Sequence, residues 1–360
     1  DEAGLLATLG WAAIVGGDYP AAQTYLQQAV AVARALEHDA VTADALSWLG
    51  DLARRRGDLA RAREIVEEAL TLARTVVPPI VGRCLCILGQ IALAAGDLTD
   101  ARELFGQSLA TAAPIGRAYI IVRSLVGLGQ ISLAEAQGGP ARERFEEALA
   151  LARATGDRHG VAAAIQGLAD VAAECDSIER ASALYQEALS LRDQAGDRAG
   201  LPDSLEAVAS LAGQRGRTVD AARLFAAAQA LRDAGGYART SITSTPHASI
   251  ANTRLALGEQ QFSEEWRNGL TLSAHDAVTY ATRRYGARER PPNGWASLTP
   301  AEHDVAYFAA QGLTDKEIAK RLFVSPRTVG AHLRHVFEKL EIKSRRDLRH
   351  DTAPARPDEG

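Results

Sequence analysis

The chain contains no methionine, and none of its lysines precedes Lys316. A phosphate-binding GxxxxGK[ST] loop needs a lysine that reaches the phosphates, so none can exist ahead of that point. The only cysteines, Cys84, Cys86 and Cys175, are an odd number and far from any zinc spacing. They are expected to be buried structural thiols in a reducing cytoplasm. Aromatic residues amount to only 5%, which disfavours a β-sandwich or barrel and, with Ala and Leu abundant, favours helices packed through small residues. No uncharged apolar run reaches the roughly 18 residues of a membrane span, and Asp1-Glu2 offers no basic signal-peptide region. A cytoplasmic protein without a membrane partner is expected. The eight histidines are scattered and no Ser or Cys has a nucleophile signature around it, so neither enzyme activity nor a cofactor is expected. His332 and His335, three apart, could share a metal, but no third ligand is evident and no metal site is expected.

What the chain does contain is a repeat. The pairs Leu9-Gly10, Leu49-Gly50, Leu88-Gly89, Leu128-Gly129, Leu168-Ala169 and Val208-Ala209 recur at steps of 40 or 39. In phase with them run Ala22, Ala62, Ala101, Ala141, Ala181 and Ala221. Each of these alanines has a bulky residue four positions on, in order Leu26, Val66, Phe105, Phe145, Tyr185 and Phe225. Seven positions on stands a small one: Ala29, Ala69, Ser108, Ala148, Ala188 and Ala228. Offsets of 0, 4 and 7 share one helical face. Between the two series lie turns at Gly17-Asp18, Gly57-Asp58, Gly96-Asp97, Gly138-Gly139, Asp176-Ser177 and Arg215-Gly216. Each unit is therefore helix, turn, helix, and six units should stack as a right-handed solenoid in which the bulky residue wedges into the next unit. Trp11, Tyr19, Tyr25 and Trp48 are expected in its core rather than against a ligand.

The pattern weakens after Gly236. A loop or frayed helix over Tyr237–Ser249 should lead to one irregular capping hairpin, Ile250–Gly258 and Glu259–Arg284. The helix-breaking run Arg288-Glu289-Arg290-Pro291-Pro292-Asn293-Gly294 then marks a linker. The domains are 1-236, a helical-repeat solenoid; 237-284, the capping hairpin; 285-297, the linker; 298-351, a head; and 352-360, a disordered tail.

Charge separates the head from the body. The net charge is −5, yet residues 297 to 350 hold 4 Lys and 6 Arg against 7 acids, which is +3. Within the head, Thr299-Pro300-Ala301-Glu302 and Thr314-Asp315-Lys316-Glu317 both read as capping boxes, with Gly312 ending the first helix. Ser325-Pro326 opens a third helix on which Val329, Leu333, Val336, Phe337 and Leu340 form one apolar stripe. A short helix, a tight turn and a longer helix with a basic outer face make a helix-turn-helix whose second helix enters the major groove. Arg327 and Arg334 are expected at phosphates or guanine. Thr328 and Ala331 are small enough to seat the helix closely, and Ala331 could meet a thymine methyl. His335 points outward, while His332 can either pack or reach DNA. Val329 is counted both with the stripe and among the contact candidates. Lys316, Ser325, Lys339, Lys343, Arg345 and Arg346 are better placed for phosphates.

The run LTPAEHDVAYFAAQGLTDKEIAKRLFVSPRTVGAHLRHVFEKLEIKSRRDL, Leu298 to Leu348, resembles the LuxR-type helix-turn-helix of bacterial transcriptional regulators almost from end to end. The resemblance implies a four-helix head, with the helix-turn-helix at Asp315 to Arg334 and the fourth helix after Ser344. Many family members carry Lys or Glu where this chain has Gly330, so that contact is missing here. The fourth helix, where such heads often dimerise, is short before Pro354. The body resembles the tetratricopeptide repeat, with a unit nearer 40 residues than the usual 34. The text from Ala256 through Trp266 to Ala277 is similar to the end of the helical region in large ATP-binding LuxR-type regulators. Because such regulators begin with a nucleotide-binding domain, this chain is expected to be the C-terminal part of a longer protein or the product of an incomplete gene.

The fold class expected is all-α: a tetratricopeptide-like α-solenoid with a capping hairpin, linked to a LuxR-type head. The function expected is a sequence-specific transcriptional regulator, dimeric on double-stranded promoter DNA, whose solenoid senses a small molecule or protein. The alternative is an interaction scaffold with a vestigial head. Intact caps, stripe and basic face argue against that.

Overall fold

The computed structural model describes residues 2–74, 77–175, 177–239, 246–286, 295, 298, 300–322, 326–340, 342 and 345–348, with the backbone alone at 283–286, 300, 301, 327, 328, 331 and 346. The chain divides into two compact units, Asp1–Tyr285 and Gly286–Gly360. All regular elements among the described residues are helical. Most of the linker expected at 285–297, and the tail at 352–360, lie outside the described residues.

Six hairpins make up most of the first unit. They pair α1 (Glu2–Val15) with α2 (Tyr19–Ala35), α3 (Asp39–Arg55) with α4 (Leu59–Ala73), and α5 (Pro78–Ala94) with α6 (Leu98–Ala112). Then α7 (Ala118–Ala134) pairs with α8 (Gly138–Thr155), α9 (Arg158–Glu174) with α10 (Ile178–Ala195), and α11 (Leu201–Gln214) with α12 (Thr218–Gly235). The Gly-Asp turns work through both residues. Gly17, Gly57 and Gly96 take positive φ of 77°, 86° and 84°, which ends the first helix without a Cβ clash. The following Asp18, Asp58 and Asp97 then cap the second helix by accepting from the backbone N–H three residues on, at 3.0, 3.1 and 3.0 Å.

The fourth turn differs from its expected place at Gly138-Gly139. Those glycines lie in the first turn of α8, and the left-handed residue is Ala136, φ 58°. Position 136 keeps the 40-residue register from Gly96. Register set by packing therefore prevailed over glycine content, at a steric cost of about 1 kcal/mol for a Cβ in that region.

The two periodic series meet face to face. The alanines Ala22, Ala62, Ala101, Ala141, Ala181 and Ala221 are all fully buried. A Cβ on Gly89 would lie 2.9 Å from the Phe105 ring, and one on Gly129 would lie 2.7 Å from Phe145. Each ring also reaches the next hairpin: Phe105 fills the space over Gly127, and Phe145 the space over Gly167. A bulky side chain on the second helix thus enters a hole left by glycine on two first helices, which fixes both pairing within a hairpin and stacking between hairpins.

The last hairpin returns to the first. The Tyr237 hydroxyl donates to the Gly17 carbonyl at 3.0 Å, and its ring meets Tyr19 edge-on with centroids 4.9 Å apart. Ala238 N donates to Arg55 O at 2.8 Å. Ala199, between α10 and α11, packs on the same cluster. A loop or frayed helix was expected over Tyr237–Ser249: residues 237–239 are loop, 240–245 lie outside the described residues, and a regular helix already begins at Pro246. Tyr237 and Ala238 nonetheless close the repeat array on itself.

The cap has three helices rather than the expected hairpin: α13 (Pro246–Leu257), α14 (Glu259–Leu270) and α15 (Ala274–Gly286). Glu259–Arg284 breaks at residues 271–273, where Ser273 Oγ accepts from Asp276 N at 3.1 Å and starts a new helix. Ala277, Val278 and Ala281 join the core of α11 and α12.

Cys84 and Cys86 are buried as expected, and burial pushes the Cys84 thiol up to about 12. Cys175 is exposed, contrary to expectation. It is the C-cap residue of α9, where the chain leaves the packed helix.

Among its described residues the second unit holds α16 (Pro300–Ala310), α17 (Asp315–Leu322), α18 (Pro326–Lys339) and a 3-10 turn at Arg345–Asp347; the rest of the expected fourth helix, from residue 349 on, lies outside the described residues. Val305, Ala306, Ile318, Val329 and Val336 form its core.

Candidate nucleic-acid interface

Position in the head follows from two local features of sequence. Gly312, at φ 86°, ends α16. The Thr314 box then opens α17: Thr314 N donates to Glu317 Oε2 at 2.7 Å, and Glu317 N donates back to Thr314 Oγ1 at 3.4 Å. The Thr314 hydroxyl, which donates to Glu317 Oε2 at 2.7 Å, and then the Thr314 N–H hold the Glu317 carboxyl below its ordinary pKa. The Thr299 end of the other box lies outside the described residues. Its Glu302, read from sequence as a cap partner, is buried and receives Lys339 Nζ at 2.6 Å, with His335 Nδ1 at 3.7 Å.

The stripe of α18 turns inward. Val329 and Val336 are fully buried and Leu333 nearly so. Val329 is therefore removed from the contact candidates, because its isopropyl group packs against α16 and α17 and offers nothing to a groove. On the opposite side Arg334 and His335 are exposed, and His332 is half-buried. Lys316 is exposed at the start of α17.

Two expected phosphate ligands have partners inside the domain. Lys339 holds Glu302, and Arg345 Nη1 lies 3.0 Å from Asp315 Oδ1. Each charge can face a phosphate only while also neutralising a carboxylate. Ser325 and Lys343 lie outside the described residues, and for Arg327, Thr328, Ala331 and Arg346 only the backbone is described. Lys320 and Arg321, absent from the candidates, are also exposed, and the Arg321 guanidinium sits over the Phe308 ring at 5.0 Å. Their place in the last turn of α17, beside the recognition helix, was a signal available in the sequence.

At position 330 the helix surface is open. A Cβ there would have Asp315 Oδ2 as its nearest neighbour, at 3.9 Å. A Cβ at this position is therefore in ordinary contact distance of its described neighbours.

Residues 296–350 match the family described as bacterial regulatory proteins, luxR family, and residues 5–75 match the tetratricopeptide repeat. The head is a LuxR-type helix-turn-helix domain. Over 101 residues the chain is 50% identical to a protein of Mycobacterium tuberculosis described as an HTH-type transcriptional regulator. That stretch is 28% of this chain and spans 12% of the relative's length. A shorter match, 46% identical over 48 residues, covers 13% of this chain and 22% of the nitrate/nitrite response regulator protein NarL of Escherichia coli. Among solved structures, a Rap protein complexed with competence and sporulation factor aligns over 93% of this chain and 96% of its own, at 10% identity and TM-score 0.48. BtubC from P. vanneervenii aligns over 62% and 94%, at 20% identity and TM-score 0.45.

Among the described residues no group of three or more His, Cys, Asp or Glu could hold a metal ion. No described helix is long and apolar enough to cross a membrane.

Proposed function

We propose that the chain is a sequence-specific DNA-binding transcriptional regulator of the cytoplasm, and that its repeat body receives the signal that controls it. The observation that carries this is the division of α18 into a fully packed stripe, Val329 and Val336, and an exposed side bearing Arg334. A helix so divided presents its basic side to the major groove while the core holds its angle. Arg334 and Arg327 act at phosphates or guanine, His332, His335, Thr328 and Ala331 lie along the groove, and Lys316, Lys320, Ser325, Lys343 and Arg346 meet the backbone. One such head covers a half-site, so the regulator works as a dimer on DNA. A vestigial head would have lost selection on its core, and Ile318, Val329 and Val336 remain fully enclosed.

By resemblance the reading extends to the ATP-binding type of these regulators. Coding sequence upstream of Asp1 tests that extension: a nucleotide-binding domain supports it, and a start codon immediately before Asp1 removes it.

The main reading is tested by retention of a promoter fragment at about 150 mM salt against excess non-specific DNA. Arg334→Ala should weaken specific binding by about 1 to 3 kcal/mol while leaving the circular-dichroism melting curve in place. Unchanged affinity would remove Arg334 from the interface, and failure to retain any promoter fragment would favour the scaffold.

A further inference from the structure

Four successive first helices, α1, α3, α5 and α7, line a cavity of about 360 Å³. That size suits a small molecule and not a folded partner. Its walls are aromatic. Trp11 and Trp48 stand with ring centroids 6.2 Å apart, and Trp48 and Tyr119 are stacked at 6.5 Å. Trp11 is 44% exposed, which is unusual for a tryptophan that only fills a core. From sequence Trp11 and Trp48 were expected to be core residues; Trp48 is buried in the core and also borders the cavity, whereas Trp11 is exposed on the cavity wall.

The floor is charged and held rigidly. Arg83 is nearly buried, lies over Trp48 at 4.2 Å from the ring centroid, and donates Nε to Ser47 Oγ at 2.9 Å. Its Nη2 pairs with Asp44, and its Nη1 is 3.4 Å from the Tyr119 hydroxyl. Arg83 and Asp44 therefore neutralise each other. Arg117, on the rim, is exposed and has no side-chain partner among the described residues. The lining carries one uncompensated positive charge.

We propose that this cavity is the sensing site of the body and that it takes a small planar aromatic carboxylate. The ring packs against the aromatic wall of Trp11, Trp48 and Tyr119, and the carboxylate is held by Arg117. A cationic ligand is disfavoured because Arg83 already occupies the face of Trp48 and Arg117 repels a second cation. The identity of the site deepens the proposed function and rests on its sensing part, but the binding itself does not depend on the head.

The test uses the whole chain and isothermal titration with benzoate, 2-naphthoate and indole-3-acetate, each beside its own amide. At least one carboxylate should bind saturably at one site with Kd below about 1 mM. Its amide should bind about tenfold or more weakly. Arg117→Gln should bring the carboxylate to the level of the amide, and Trp11→Ala should weaken both. Both side chains are exposed, so melting curves should stay in place; if Trp11→Ala lowers Tm, Arg117→Gln decides alone. Absence of binding by all three carboxylates up to 1 mM overturns the proposal, as does an amide equal to its acid or an Arg117→Gln variant equal to the parent. Promoter retention is measured separately, with and without the bound probe. Probe binding without any effect on promoter affinity upholds the site and removes the sensing role, whereas probe binding by a chain that retains no promoter upholds the site and removes the regulator reading.

Discussion

In the repeat body Asp51 is fully buried, with Arg54 at 2.8 Å, Arg55 at 2.9 Å and Arg123 at 3.2 Å around one carboxylate. In the head Lys316 and Lys320 extend into solvent. The body has many arginines and no lysine; the head holds every lysine in the chain. The guanidinium group is planar, weakly hydrated and able to donate in several directions, so it tolerates enclosure by carboxylates between helices. An ammonium group is compact and strongly hydrated, and it serves best where it meets water or phosphate. Around Asp51 the body's arginines thus stay enclosed, two from the same helix and Arg123 from another. Among the described residues of the head, Lys316, Lys320 and Arg334 are exposed, while Lys339 and Arg345 are paired.

The comparison breaks most directly at Asp51. Asp51→Ala leaves three guanidinium groups enclosed without their carboxylate and should cost about 3–5 kcal/mol in urea denaturation. A loss below about 1 kcal/mol would show that the arginines reach water on their own. These arginines also hold the Asp51 carboxyl well below its usual range against the opposing effect of burial. Its contribution is therefore present above the unfolded pKa, near 4, and is lost as pH falls through the lower folded value.

Asp170 behaves in the opposite sense within the same body. Burial pushes its carboxyl up to about 7, although the Tyr185 hydroxyl donates to it at 2.8 Å. A raised carboxylate favours the protonated form in the folded state, so stability falls as pH rises from about 4 to about 7. Asp170→Asn should remove that fall, raising stability at pH 7 relative to pH 5 by up to a few kcal/mol. Parallel pH curves for parent and variant would show that the carboxyl is ionised throughout.

The arginine-lysine contrast itself is tested by exchange. Arg123 Nη2 bonds both Asp51 and Gln90, the latter at 2.7 Å. Arg123→Lys should cost about 1–2 kcal/mol, because one ammonium cannot reproduce both directions, while Lys320→Arg in the head should stay within about 0.5 kcal/mol. Equal effects at the two sites would dissolve the distinction.

The smallest expected change is at Gly330. Replacing a glycine inside a helix gains about 0.5–1 kcal/mol of helix stability, and among the described residues the near neighbour of the new Cβ is Asp315 Oδ2 at 3.9 Å. Gly330→Lys should raise the melting temperature of the head and steepen the salt dependence of DNA binding by about one ion. An unchanged salt slope would place position 330 away from phosphate.

Much of the body was legible because its signals repeat. Gly89 and Phe105 are separated by a fixed offset in every unit, and that regularity is enough to pair a hole with a knob. The fourth turn was misplaced because Gly138-Gly139 is a stronger local signal than Ala136, and only stacking shows that the register continues through the alanine. In the head, Val329 could be assigned to the stripe by helical winding alone. The ion pair of Glu302 with Lys339 was not legible there, because Lys339 is on another helix.

By itself the sequence determined the period, the helix caps, the separation of charge and the motif of the head, since each of these depends on residues within a few turns of one another. The tertiary structure decided what depends on residues far apart. It brought Tyr237 to Gly17. It gathered Trp11, Arg83 and Arg117 around one cavity. It set Asp51 and Asp170 in environments with opposite effects on their carboxyls. The reason is physical: local spacing fixes which face of a helix a side chain occupies, but the groups that share that face's surroundings come from helices whose placement follows only from packing the whole array.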